Sequence, residues 1–181
     1  DGPELPELAH AAIGVLCQQL LELNDKVRWF TRKIAAAART DDRGRLLQTI
    51  PGVGPMTASA IVATVGTPDQ FRNGREFAAW LGLTPLNRST GGMERLGRIS
   101  KMGDRYLRRL LVCGMTARVR VARSKPERAD PWVISLLEHK PARLVTVAMA
   151  NKTARIIWAV LTRNGKVTGE RTVKVSVPTG G

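Results

Sequence analysis

Residues 84–111, TPLNRSTGGMERLGRISKMGDRYLRRLL, combine features that no other part of this 181-residue sequence brings together. The stretch contains four glycines and seven Arg or Lys residues. It also carries the hydroxyl groups of Ser89, Thr90 and Ser100. Flexible backbone, candidate nucleophiles and positive charge therefore occur in one segment, and the neighbouring elements can be placed around it.

The stretch begins as a loop and ends as a helix. Gly91, Gly92 and Gly97 break any helical pattern, so residues 86–102 are predicted to form a loop or a small irregular hairpin. Asp104 is well placed to cap a helix that runs to about Val121. The apolar spacing predicts a buried stripe on that helix, made of Leu107, Leu110, Leu111, Gly114 and Met115.

The charge of the chain is its most unusual property. The net charge is +14 and the isoelectric point is near 11.2. Between Arg88 and Arg128 there are twelve Arg or Lys residues and only three acids. Such an excess indicates a polyanionic partner. Nucleic acid is favoured over an anionic membrane surface, because no basic amphipathic helix with exposed aromatic residues stands out.

A long helix is predicted from about Leu8 to Ala38. Its apolar residues are spaced by alternating steps of three and four, which is a heptad pattern: Ile13, Leu16, Leu20, Leu23, Val27, Phe30, Ile34 and Ala37. Two interpretations remain open. The helix either packs on its own domain or forms a coiled coil, with another chain or with a second helix.

Residues 46–66 predict two helices joined by a tight turn, Ile50-Pro51-Gly52-Val53-Gly54-Pro55. This pattern resembles the helix-hairpin-helix motif of DNA-binding proteins. Gly52 and Gly54 permit the turn, and Pro55 fits the first helical position. The free N–H groups of the second helix can hold a phosphate without reading a base. The alternative is a purely structural helical hairpin.

Two short helices are predicted near 74–81 and 132–138, and a final helix at 141–163. The predicted buried side of the final helix comprises Leu144, Val147, Ala148, Ile156, Trp158 and Val160. Lys152 and Arg155 interrupt this apolar pattern, and they either extend to solvent or contact a phosphate.

The predicted fold class is mainly α. A long N-terminal heptad helix, residues 1–42, is followed by a compact helical domain at 43–163 that contains the helix-hairpin-helix and the glycine-rich basic loop. Residues 164–181 are expected to be a disordered tail. A reduced, cytosolic protein is expected, because Cys17 and Cys113 form no metal-binding or disulfide pattern.

Two interpretations of the residues around Ser89 and Thr90 remain open. Their hydroxyls either cap local backbone in a turn, or one of them attacks a phosphodiester. The second requires cations that stabilise the reacting phosphate, and the nearby candidates are Arg88, Arg95, Arg98 and Lys101. We expect no metal site in this chain, since no cluster of His, Cys, Asp or Glu is visible.

Four segments carry a resemblance to a known family: IPGVGPMTASAIVA, FRNGREFAAWLGLTP, STGGMERLGRISKMGDRYLRRLL and ANKTARIIWAVL. From about Leu46 to Arg163 the chain resembles the C-terminal half of transposases of the IS110/IS1111 type, also called IS116/IS110/IS902. Arg105, Arg108, Lys152 and Arg155 lie in these segments, and with Gly52 and Gly54 they complete the predicted DNA-binding set. The leading heptad helix also fits, because the family carries a coiled coil between its two halves.

The resemblance implies a DNA recombinase of a mobile element. It implies a RuvC-like N-terminal half whose acidic residues bind a divalent metal such as Mg²⁺, and a serine in the C-terminal half that attacks DNA. It also implies a structured guide RNA in some members. This sequence departs from the family in two ways. It shows no acidic tetrad, and ungapped alignment places the family serine at Thr90, immediately after Ser89.

The sequence therefore predicts a DNA-binding transposase fragment that supplies a hydroxyl nucleophile, Ser89 or Thr90, to an active site completed by a missing RuvC-like half. The chain alone is expected to be inactive. The alternative is a non-catalytic module that binds DNA structure through the helix-hairpin-helix. Homo-oligomerisation through the N-terminal helix, a bacterial nucleoid-associated location and no membrane partner are also expected.

Overall fold

The computed structural model describes residues 6–87 and 96–165. Within these residues the chain forms seven α-helices and a single two-stranded sheet. The elements are, in order, α1 (Glu7–Thr40), α2 (Asp42–Leu47), α3 (Pro55–Thr64), α4 (Gly74–Trp80), β1 (Pro85–Asn87), β2 (Leu96–Ile99), α5 (Arg105–Ser124), α6 (Pro131–His139) and α7 (Ala142–Gly165). Short 3₁₀ turns lie at Pro68–Gln70 and Pro126–Arg128. The predicted mainly α fold with a long N-terminal helix is confirmed.

Helix α7 lies at the centre of the core and packs against α4 and α5. Its buried residues are Val145, Thr146, Met149, Ala150, Thr153, Ala154, Ile157 and Leu161. The predicted buried side was wrong, because Leu144, Ala148 and Ile156 are exposed while Val147, Trp158 and Val160 are only half-buried. Both sides of α7 carry apolar residues, so periodicity alone did not determine which side packs inward. The other apolar side of α7, which includes Leu144 and Ala148, stays outside the core.

The predicted stripe of α5 is largely confirmed. Leu107, Leu111 and Met115 are fully buried, whereas Leu110 and Gly114 are half-buried. Asp104 caps this helix as predicted, since its Oδ1 accepts a hydrogen bond of 2.7 Å from the backbone N–H of Leu107. The Asp104 cap therefore sets the start of α5, and the buried stripe sets its orientation.

By length and composition alone, α7 could cross a membrane over Ala142–Arg163, where its mean hydropathy is 1.3. Its buried residues, however, pack against α4 and α5 within one hydrophobic core. Burial in a protein core explains the same composition, because a helix that is apolar on most sides is a common core element.

Helix α1 packs against α2 and α3, and beyond its first turn the residues that are buried or half-buried, Ile34, Ala35 and Ala38, lie near its C-terminal end. Ala38 is its single buried residue, and the side-chain amide of Gln48 donates to the carbonyl oxygen of Ala38 at 2.9 Å. The heptad positions from Ile13 to Phe30 are 47–63% exposed. The described residues therefore do not support packing of this stripe on its own domain.

The turn between α2 and α3 is set against α5 by two glycines. Gly52 has a φ of +86°, a conformation that glycine adopts without strain. A Cβ atom on Gly114 would overlap the carbonyl oxygen of Gly52. Residues 42–64 thus form two helices joined by a tight turn. The identity of this unit as a DNA-binding helix-hairpin-helix remains a prediction.

This close approach predicts that Gly114→Ala destabilises the fold by about 1–3 kcal/mol, because the added methyl group must displace the turn. The measurement is the free energy of unfolding from urea denaturation. Gly14→Ala is the matched control, because no atom lies within 4 Å of a Cβ at that exposed helical position. The control variant should be as stable as the wild type or slightly more stable. Equal stability of the two variants would contradict the proposed close packing.

Candidate nucleic-acid interface

The hairpin β1–β2 is held at the end of α4 by backbone hydrogen bonds. Pro85 pairs with Ile99 and Asn87 with Leu96, with an irregularity between them. The N–H of Lys101 donates to the carbonyl oxygen of Gly82 at 3.1 Å. On the other side, the side-chain amide of Asn151 donates to the carbonyl oxygen of Leu83 at 3.1 Å. The hairpin is therefore attached to both α4 and α7.

A cleft of about 760 Å³ lies between this hairpin and α7, and we call it the basic cleft. Five cationic side chains line it: Arg98, Lys101, Arg143, Lys152 and Arg155. Among the described residues that line it there is no acid. Its remaining lining is largely apolar, including the outward side of α7 at Leu144, Val147 and Ala148.

The structure thus brings together four of the predicted DNA-binding residues, Arg98, Lys101, Lys152 and Arg155. The first two lie more than fifty positions before the last two in the sequence. Arg98, Lys101 and Arg155 are exposed, and none of the salt bridges found within residues 6–87 and 96–165 involves them. Within the part of the chain that the structure describes, no carboxylate therefore competes with an anionic ligand for these three side chains.

Lys101 has a φ of +55° and is the only described residue other than glycine with a positive φ. This left-handed conformation is uncommon for a residue with a side chain. It occurs directly after β2, where the chain turns towards α5. Conformations of this kind are often retained at functional positions, and here it accompanies a side chain that lines the basic cleft.

Lys152 and Trp132 form the end of the basic cleft nearest α6. The ammonium group of Lys152 lies 3.8 Å from the centre of the Trp132 ring, a cation–π geometry. Lys152 is half-buried and Trp132 is 38% exposed. Sequence reasoning missed both Trp132 and Arg143 as site residues. The one sequence feature that could have indicated them is that each lies near the start of a helix.

Other predicted site residues lie elsewhere. Arg105 is exposed on the first turn of α5, and Arg108 is half-buried with its guanidinium donating to the carbonyl oxygen of Leu81 at 2.9 Å. Neither lines the basic cleft. The candidate nucleophiles Ser89 and Thr90, with Arg88 and Arg95, lie outside the described residues.

Gly52 and Gly54 line a second cleft of about 600 Å³ between the α2–α3 turn and α5. Gly54 is the exposed N-cap of α3 and its position offers no side-chain capping bond. Two cations that the sequence did not single out, Arg118 and Arg128, line the same cleft, together with one acid, Asp130. An uncapped helix start beside two arginines suits a phosphate group.

Within residues 6–87 and 96–165, no three His, Cys, Asp or Glu side chains come close enough to hold a metal ion. The side chains placed there therefore do not fit the divalent metal that the resemblance assigns to the other half of the protein.

Comparison with known proteins gives concordant results. The model of the transposase IS116/IS110/IS902 family matches residues 44–131. A Pseudomonas aeruginosa protein named "Probable family 20 transposase" is 48% identical over 159 residues, which are 88% of this chain and 47% of that protein.

Two further relatives are named as transposases of insertion sequence elements. That of IS1328 from Yersinia enterocolitica is 38% identical over 156 residues, covering 85% of this chain and 44% of the relative. That of IS1111A from Coxiella burnetii is 36% identical over 151 residues, covering 83% and 42%. This chain therefore spans about half the length of the curated relatives it matches. On these matches, the chain belongs to the IS116/IS110/IS902 family of transposases.

Proposed function

We propose that this chain is the DNA-binding C-terminal part of a mobile-element transposase, and that the basic cleft is its principal DNA-binding surface. The observation that carries the proposal is the convergence of five cations, from the hairpin, the segment after it and α7, on a cleft whose described lining contains no acid. Unbalanced cations of this kind bind the phosphate backbone of DNA.

The hairpin also relates the basic cleft to the proposed nucleophile. Ser89 and Thr90 follow the last residue of β1, Asn87, by two and three positions. In the sequence, both residues therefore follow directly from the strand that pairs with β2, and β2 lines the basic cleft. One of them would attack a DNA phosphodiester, forming a phosphoserine or phosphothreonine bond as the 3′ or 5′ oxygen of the broken strand leaves with a proton.

The chemistry requires the other half of the protein. In this proposal a RuvC-like half holds Mg²⁺ and completes the active site, and this chain contributes binding, positioning and the hydroxyl. A structured guide RNA is a further proposed partner, by family resemblance alone. The proposed location is the bacterial cytoplasm, in association with the nucleoid.

We further propose that α1 joins two or more copies through its heptad stripe. The stripe presents large apolar side chains along several turns, and they are about half exposed or more. A second copy offers the same stripe, and a coiled coil would cover both.

A second candidate function is a non-catalytic module that recognises DNA structure. The exposed start of α3 with Arg118 and Arg128 favours it. Both candidates bind DNA, but only the first forms a covalent bond to it, so a covalent protein–DNA adduct formed with a RuvC-like half distinguishes them.

DNA binding is tested by titrating a fluorescent duplex with the chain at several salt concentrations. The account predicts binding whose association constant falls at least about a hundredfold between 50 and 200 mM salt, because each Arg or Lys contact releases counterions. The chain alone should neither cleave nor join the duplex. A flat salt response would argue against a cationic DNA surface, and cleavage by the isolated chain would show that no second half is needed.

A further inference from the structure

We infer that the basic cleft holds an unpaired nucleotide of the DNA strand, with the base against Trp132 and the apolar side of α7 and the phosphates on the surrounding cations. This inference rests on the proposed function and adds to it a substrate state, single-stranded or locally opened DNA.

The lining of the basic cleft combines cations with an apolar floor. A surface that contacts only the backbone of a duplex needs cations and hydrogen-bond donors, and gains nothing from an apolar floor. Here the accessible floor includes Ile99, Leu144 and Val147. Leu144 is 53% exposed. Apolar area left open beneath a ring of charges fits a ligand with a flat apolar part and an anionic part, which describes a nucleotide.

Trp132 is placed to stack a base. This residue lines the cleft and is 38% exposed, although it lies in the first turn of α6 and the next residue, Val133, is fully buried. The Lys152 ammonium lies over the ring at 3.8 Å from its centre. Lys152 therefore covers one face of the ring and places a positive charge near any base stacked on the other face. Aromatic side chains of this kind stack bases with little sequence preference.

The basic cleft continues into a smaller hollow of about 220 Å³, which Trp132 and Lys152 also line. The hollow is further lined by Pro51 of the α2–α3 turn, by Arg118 and by one acid, Asp130. A strand could thus pass from the proposed phosphate site at the turn, across Trp132, to the hairpin that leads to Ser89. The volume of the basic cleft, about 760 Å³, falls within the range of about 300–1,000 Å³ for pockets that bury small ligands.

The experiment compares three DNAs by fluorescence anisotropy: a paired duplex, the same duplex with a short single-stranded gap, and the gapped duplex with abasic sites in the gap. The wild type should bind the gapped duplex about tenfold more tightly than the abasic one. Trp132→Ala should lose this preference and bind the paired duplex within about twofold of wild type, while Trp132→Phe should keep most of it. Trp29→Ala, at an exposed tryptophan of α1, is the matched control and should behave as wild type.

The abasic comparison leaves the protein unchanged, so it holds even if a variant folds poorly. Equal wild-type affinity for gapped and abasic DNA would overturn the inference, as would an equal loss by Trp132→Ala on all three DNAs. A fourth substrate carries RNA nucleotides in place of the unpaired DNA of the gap. If Trp132 increases affinity for this substrate but not for the DNA gap, DNA is rejected as the occupant. Salt-dependent duplex binding without any gap preference would refute this inference alone and leave the proposed function standing.

Discussion

Replacing Ser89 and Thr90 together by alanine is expected to lower covalent attachment of the chain to DNA by at least about a thousandfold, in the presence of a separately expressed RuvC-like half and Mg²⁺. Removal of a nucleophile eliminates the covalent step itself, which explains the size of the effect. The measurement is the protein–DNA adduct seen on a denaturing gel. The two single variants then assign the role, because alignment with the family favours Thr90 whereas the less hindered hydroxyl is that of Ser89.

Ser100→Ala is the matched control for this experiment. Ser100 is half-buried just beyond β2, and its backbone N–H donates to the carbonyl oxygen of Thr84 at 2.9 Å. Loss of its hydroxyl should leave both the adduct and DNA affinity nearly unchanged. If the double variant still forms the adduct, the nucleophile lies elsewhere, and the segment after β1 has a binding or structural role.

Leu20→Asp is expected to weaken self-association by at least about a hundredfold and to give a monomer in sedimentation. Leu20 lies in the middle of the heptad stripe and is 60% exposed in the single chain. A coiled coil would bury it, and each buried leucine contributes about 1.5–3 kcal/mol. A carboxylate buried without a partner adds a further cost. Because Leu20 is so exposed in the monomer, the variant should still fold.

Gln18→Asp introduces the same charge on the opposite side of α1 and is the control. It should sediment as the wild type does. Unchanged mass of Leu20→Asp, or a wild type that is already monomeric at high concentration, would refute an oligomer formed through α1.

The sequence predicted the helices well because most of them carry strong local signals. Asp104 and the stripe of Leu107, Leu111 and Met115 determine α5, and both the cap and the burial were found. The α2–α3 turn was predicted from its glycines and Pro55. The contact of that turn with Gly114 was not predicted, because it joins residues over sixty positions apart and leaves no local pattern.

The error on α7 had a physical cause and a functional consequence. Leu144 and Ala148 are as apolar as the residues that pack inward, so the helix lacks a clear polar side. Packing with α4 and α5 selected Val145, Met149 and Ile157 for the core. The remaining apolar side became the floor of the basic cleft. Trp132 and Arg143 were missed for the same reason, since only the tertiary arrangement places them beside Arg98 and Lys152.

The most direct test of the account is the salt dependence of duplex binding by a variant of the basic cleft, Arg98→Gln with Lys101→Gln and Arg155→Gln. All three side chains are exposed, so folding should be preserved. A second variant with Lys26, Arg28 and Arg32 of α1 changed to glutamine removes the same charge from another exposed surface. The account predicts that the slope of log affinity against log salt falls by about two to three units in the cleft variant and stays near wild type in the α1 variant. Equal slopes for the wild type and the cleft variant would contradict DNA binding by the basic cleft.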